Sequence, residues 1–167
     1  MSATRIAKLS DLAESLLFDS PEHVTRFDRQ TGRMVMVERW ILSALEEGQD
    51  ERVASAPQWQ REEVEIARAM CEDSGERFIE GPSKFDFHEY RQMEKFIGSL
   101  GDTDAADQLW RAIKGKGAFR HFKDTLHRLG LQDQWHRHRD EAMKAFLIAW
   151  AQENQVPYED DTKGRLL

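Results

Sequence analysis

Val24-Thr25-Arg26-Phe27-Asp28-Arg29-Gln30-Thr31-Gly32-Arg33-Met34-Val35-Met36-Val37 decides the fold class. Val24 to Phe27 and Met34 to Val37 are β-prone runs. The loop between them, Asp28 to Gly32, ends in a glycine that can take φ > 0 and close a short hairpin. A second run, Arg77-Phe78-Ile79-Glu80, stops at Gly81-Pro82 and predicts a third strand beside that hairpin. The expected architecture is α+β: a predominantly helical single domain over residues 1–167. Its small antiparallel sheet consists of the hairpin at about 23–37 and the short strand at about 77–80.

Working outward, the remaining apolar residues recur at helical spacing. Ile6, Leu9, Leu12, Leu16 and Leu17 predict a first helix, with Ser10 or Asp11 as its cap. After the hairpin come a helix over Arg39 to Glu47, a polar linker from Gly48 to Pro57, and a helix over Gln58 to Glu72. Trp59, Ile66 and Met70 are expected on the inner side of that last helix. Asp86 with Glu89 three residues later reads as a capping box. The helix it opens turns Tyr90, Met93, Phe96, Ile97 and Leu100 inward. Asp102 or Thr103 caps a short helix with Leu109, Trp110 and Ile113. A further helix places Ala118, Phe119, Phe122, Leu126 and Leu129 on one face and stops at Gly130. The final helix, about Asp133 to Asn154, is expected to bury Trp135, Ala142, Met143, Phe146, Ala149 and Trp150. A charged tail of about 157–167 follows.

Charge is unevenly spread along the 167 residues, whose net charge is −7. Glu38 to Glu80 holds twelve acids and five arginines; Arg111 to Lys144 holds nine Lys/Arg and four acids. An acidic protein with a basic C-terminal third argues against non-specific coating of nucleic acid, yet leaves room for a specific anionic partner. Cys71 is the only cysteine, which excludes an intrachain disulfide and a Cys-rich zinc site. Its neighbour Met70 and its helical setting predict that it lies in the core. No segment has the apolar length of a signal-peptide core or a membrane span, so the expected setting is cytoplasmic with no membrane partner.

Lys114-Gly115-Lys116-Gly117-Ala118-Phe119-Arg120-His121-Phe122-Lys123 is the stretch best suited to bind something. Two glycines open the backbone at a helix N-terminus, where unpaired N–H groups and partial positive charge attract anions. The candidate anion-binding residues are Lys114, Gly115, Lys116, Gly117, Arg120 and Lys123. A phosphate-binding P-loop is excluded, because Ala118 stands where the hydroxyl residue belongs. A dinucleotide fingerprint is excluded too, because a helix rather than a strand precedes the turn. The competing reading is a tight helix–helix turn whose glycines serve packing alone.

The histidines do not make a metal site. His136 and His138 are two apart on a helix, His121 and His127 six apart, and His88-Glu89 lacks the second histidine of a zinc-protease motif. No metal and no cofactor are expected. His138 and Arg139 interrupt the apolar stripe that begins at Trp135. These three residues either edge a cleft or meet structural partners inside the fold.

The run from Gly115 to Leu131, G-K-G-A-F-R-H-F-K-D-T-L-H-R-L-G-L, followed by Trp135, resembles an uncharacterised bacterial protein family of the UPF type. That family carries a GKGAFRRFKD-type segment. Pro57 to Arg68, Arg77 to Ile97 and Phe27 to Val35 are similar to it in the same order. His121 replaces the second arginine of the family's Arg-Arg pair. His136 and His138 stand where the family commonly has aromatics. The resemblance implies a cytoplasmic bacterial protein of unknown function and carries over no catalytic residue.

Three functional expectations follow. The first is a non-catalytic module binding nucleic acid or another phosphate-bearing partner through Lys114 to Lys123. The second is a protein-interaction or self-associating module, a homodimer included. The third is an enzyme whose site is assembled from separated residues such as Glu89, His138 and Arg139. Binding ranks above catalysis, because no sequence-local nucleophile or acid–base constellation is present.

Overall fold

The computed structural model describes residues 3–164 and Leu166. Its elements in chain order are β1 (Ala7–Lys8), α1 (Leu9–Leu17), β2 (His23–Asp28), β3 (Arg33–Glu38), α2 (Arg39–Glu46), α3 (Asp50–Ala54) and α4 (Arg61–Glu72). Then come β4 (Phe78–Glu80), α5 (Lys84–Phe87), α6 (Glu89–Ser99), α7 (Asp104–Ala112), α8 (Ala118–Leu129), α9 (Gln132–Glu153) and β5 (Tyr158–Glu159). The α+β class with a small antiparallel sheet is therefore as the sequence predicts. Two compact units emerge. One is built from the chain as far as Pro82 and from Leu147 to Gly164; the other runs from Ser83 to Phe146.

In the first unit the sheet order is β3-β2-β4, both neighbours antiparallel to β2. The β2–β3 register runs from His23 opposite Glu38 to Asp28 opposite Arg33. Phe27 opposes Ile79 across the β2–β4 pair. Gly32 closes the hairpin at φ 74°, its N–H donating to the Asp28 carbonyl at 2.8 Å. A Cβ at this position would lie 2.5 Å from the Ile6 carbonyl oxygen, so both conformation and space require glycine. Central β2 buries Val24, Phe27 and Asp28, and Phe27 meets the Trp150 ring edge-on at 5.6 Å. Val37, Ile41, Ala44, Val53 and Ala67 form a neighbouring apolar cluster from β3, α2, α3 and α4.

The outer strand β3 has its edge closed at both ends by carboxylates. Asp11 Oδ2 accepts the Met34 N–H at 2.9 Å, and Glu63 Oε1 accepts the Glu38 N–H at 2.6 Å. This explains why Asp11 does not cap α1: its carboxylate is committed to the sheet, and the α1 N-cap, Lys8, makes no side-chain cap bond. Ser10, inside α1, donates its N–H and its hydroxyl to Asp161. The short parallel pair β1–β5 sets Ala7 beside Tyr158. The first part of the charged C-terminal stretch is thus hydrogen-bonded structure, while Arg165 and Leu167 lie outside the described residues.

The second unit is a helical cluster around Met93, Phe96, Ile97, Leu109, Ile113, Phe122, Leu126 and Trp135. Trp135 meets Phe122 at 4.9 Å and Phe96 at 5.5 Å, both edge-on. Thr103 caps α7 by accepting the Ala106 N–H at 3.2 Å. Gly130, at φ 67°, ends α8.

Several local expectations are corrected. Ile6 and Leu17 are exposed, because α1 begins only at Leu9 and buries Leu9, Leu12, Ala13 and Leu16. The linker contains α3, held by buried Val53. Gln58–Gln60 is a 3-10 turn rather than the start of α4. Its tighter period carries Trp59 off the α4 face, leaving it 75% exposed, and turns Gln60 inward instead. Cys71 is exposed on α4, not in the core. Asp86 lies inside α5, which Ser83 caps, and Glu89 opens α6 after His88 at φ 51°. The capping box therefore does not form. On α8 the buried arc runs through Ala118, Phe122, Thr125, Leu126 and Leu129, which leaves Phe119 half exposed. On α9 Ala149, expected inside, is exposed, while Leu147 and Ala151 are fully buried.

Candidate functional site

The lysine–glycine turn is positioned from both ends. Before it, buried Ile113 ends α7 and its carbonyl accepts the Tyr90 hydroxyl at 3.1 Å, tying the turn to α6. After it, α8 starts against the core through Phe122 and Leu126. Between these anchors Lys114, Gly115, Lys116 and Gly117 are all exposed. Gly115 takes φ 87° and Gly117 φ 75°, left-handed conformations that β-carbons resist. A Cβ on Gly117 would also sit 3.1 Å from the His121 ring.

Gly117 is the N-cap of α8 and brings no side chain to the task. The first intrahelical bond runs from the His121 N–H to the Gly117 carbonyl at 3.0 Å. The amides of Ala118, Phe119 and Arg120 precede it without a side-chain cap. Every other helix of this unit has an acid in its first turn: Asp86 in α5, Glu89 in α6, Asp104 and Asp107 in α7, Asp133 in α9. Helix α8 has none. Its N-terminal partial charge is met instead by exposed cations. Arg120 and Lys123, three apart and both exposed, share a face. Half-exposed Phe119 adjoins them.

Trp135, His138 and Arg139 have structural surroundings. Trp135 is buried among Phe96 and Phe122. His138 stacks on Trp135 at 5.9 Å and meets Phe96 at 5.5 Å. Its Nε2 is buried without a hydrogen-bond partner. Burial holds the imidazole below its ordinary pKa, outweighing the hydrogen bond to the Gln92 backbone and the charge of Glu141; Lys95 adds to the lowering. Arg139 Nε donates to Glu89 Oε1 at 2.8 Å as an ion pair between α9 and α6. The Cys71 thiol is pushed up, first by partial burial and then by the charges of Glu46 and Glu72, which makes it a poor nucleophile.

Sequence reasoning passes over three clefts in the first unit. One, about 210 Å³, lies between α1 and the hairpin around Phe18 and Met34. Another, about 510 Å³, lies beside His23, Glu38 and Trp40, where Glu38 accepts from the Trp40 indole and from Gln60. The third, about 590 Å³, is lined by Arg29 and Arg77. None of the three is lined by Glu89, His138 or Arg139. Arg29 and Arg77 are far apart in sequence and sit in otherwise ordinary hairpin and strand contexts, so no local signal marks them. Among the described residues no group of His, Cys, Asp or Glu is arranged to hold a metal ion. Among them, too, no helix is long and apolar enough to cross a membrane.

Neither the curated proteins nor the solved structures contain a match to this chain. An uncharacterised protein family, UPF0158, does match, over residues 54–163, a span that includes α4, the helical unit and β5. With well over half of its length inside that match, the chain belongs to the UPF0158 family.

Proposed function

We propose that the protein is a non-catalytic binding module that takes an anionic partner, single-stranded nucleic acid in particular, at the N-terminus of α8. One observation carries this reading: α8 opens with neither a side-chain cap nor an acid, beside four exposed cations, Lys114, Lys116, Arg120 and Lys123. Half-exposed Phe119 adds a surface on which a base can stack, a contact worth about 1–3 kcal/mol per base in such proteins. This favours a nucleic acid over a bare phosphate. The same run, Gly115 to Lys123, carries the GKGAFRRFKD-type resemblance, and we read it as the family's binding segment. A reducing bacterial cytoplasm suits the exposed thiol of Cys71.

The test is fluorescence anisotropy with a labelled single-stranded RNA over a salt series. Four phosphate contacts predict a slope of log K against log salt of roughly −3, and Lys116→Ala or Arg120→Ala should each flatten it by about 0.7. Phe119→Ala should weaken binding without changing the slope. Absence of binding at about 50 mM salt, or a slope untouched by both cation variants, would overturn the reading.

Charge segregation favours a second reading, association between copies through the acidic 38–80 and basic 111–144 stretches. Light scattering across the same salt series separates the two: a dimer that dissociates with salt and ignores RNA supports this one.

A further inference from the structure

The cleft of about 590 Å³ opens where the hairpin loop leaves β2 and β4 begins, a volume suited to a small ligand. Arg29 and Arg77 both line it, and their backbones are joined by the Arg29 N–H donating to the Arg77 carbonyl at 2.9 Å. Both guanidinium groups are held still. That of Arg77 grips Asp28 with two bonds and lies 4.7 Å from the Phe78 ring centre. That of Arg29 donates to Thr4 Oγ1 at 3.2 Å and to the Asn154 carbonyl at 2.9 Å. Both of these acceptors are neutral. Among the described residues Arg29 forms no ion pair, so a half-buried positive charge stands fixed and uncompensated in the cleft wall.

The backbone around this charge is held in place as well. Gln155, which lines the same cleft, takes φ 57°, directly after the carbonyl that orients Arg29. The end of α9 imposes this conformation, the Val156 N–H donating to the Ala151 carbonyl at 2.8 Å, and so fixes the Asn154 carbonyl that Arg29 uses. Three carboxylates also reach the cleft. Asp73 is consumed by backbone N–H groups, those of Arg77 at 3.1 Å and Phe78 at 2.9 Å among them. Glu72 and Glu76 are exposed and form no ion pair among the described residues.

We propose that this cleft binds a free α-amino acid, its carboxylate on Arg29 and the remaining donors of Arg77, its ammonium toward Glu72 and Glu76. A zwitterion satisfies both signs of charge at once. A phosphate would meet the two glutamates unfavourably, and a simple cation would meet Arg29. The site lies away from α8 in sequence and in its own compact unit, so it stands whether or not α8 binds nucleic acid.

The experiment is a thermal-shift screen of the full chain against each standard amino acid at about 10 mM, with acetate, methylammonium and inorganic phosphate as controls. At least one amino acid should raise the melting temperature in a saturable way that no control reproduces, with about one molecule bound per chain by calorimetry. Arg29→Gln should weaken that binding about tenfold or more, and Glu72→Gln with Glu76→Gln should weaken it as well. If Arg29→Gln does not fold, the exposed double glutamine variant decides alone. A silent screen, an equal shift with phosphate or acetate, or affinity unchanged in the variants overturns the proposal.

Discussion

The guanidinium of Arg77 meets the carboxylate of Asp28 through two parallel hydrogen bonds, 2.9 Å from Nε to Oδ1 and 3.0 Å from Nη2 to Oδ2. Asp28 is 2% exposed and is the last residue of the central strand, so this pair fastens β4 and the hairpin loop to one buried point. The same carboxylate accepts the Gln30 N–H at 2.9 Å. Replacing Asp28 by Ala leaves Arg77 without its ion pair and the loop amide without an acceptor. The expected cost is about 3–5 kcal/mol, read as a lowered urea midpoint.

That pair also sets an acid limit. Burial alone would raise the Asp28 carboxyl, but the Arg77 hydrogen bond, the Gln30 amide and the Arg77 charge outweigh it and hold the pKa below 3.8. A carboxyl with a depressed folded pKa binds protons more readily when unfolded. Its stabilisation is therefore complete above about pH 4 and is lost as the pH falls toward the folded value. Urea titrations between pH 5 and 2.5 should show a larger loss in the native chain than in Asp28→Asn, which keeps only the part owed to the lowered carboxyls of Asp73 and Asp161.

His138 acts at milder pH with the opposite charge. Its folded pKa is depressed, so the neutral ring is the one that fits among Trp135 and Phe96. Unfolded, the imidazole takes a proton near pH 6.5, and in the window below that the unfolded chain binds more protons. Stability should accordingly decline as the pH drops below about 6.5 and level off once the folded ring also titrates. His138→Phe should remove this slope, which chemical denaturation at pH 7.5, 6 and 5 would reveal.

Gly32 tests the hairpin. Alanine there must adopt φ 74° and place its Cβ 2.5 Å from the Ile6 carbonyl oxygen, a backbone atom with little freedom to yield. The conformational part costs about 1 kcal/mol and the contact adds to it. Calorimetry should find Gly32→Ala several degrees less stable, while Gly75→Ala, where a Cβ meets open space, should show the conformational part alone.

Some of this was legible in the sequence because its cause is local. The hairpin follows from two β-prone runs and a glycine, the α7 cap from Thr103, and the end of α8 from Gly130. The failures share a different cause. Asp11 and Asp86 have the composition of caps, yet Asp11 is drawn to Met34, twenty-three residues away, and Asp86 is absorbed into α5, leaving α6 to open at His88 without a side-chain cap. Trp59 fits an α-helical period that a 3-10 turn replaces. Phe119 and Ala149 fit stripes whose true centres are set by helices elsewhere in the chain. The turn at Lys114 to Gly117 could be seen from its glycines and charges, and so could the acid-free start of α8, but the Tyr90 tether appears only in three dimensions. The Arg29–Arg77 cleft could not be seen, since strand pairing alone brings the two together.

The carboxylates on the rim of β3 have a consequence for the order in which the chain is made. Asp11 leaves the ribosome before the hairpin does; Glu63 follows Glu38 by twenty-five residues. For that interval the nascent sheet has one end sealed and the other open to pairing with any strand nearby. Glu63→Ala would make this interval permanent. Its expected signature is aggregation during expression, growing with synthesis rate, in a chain that is only modestly less stable once folded.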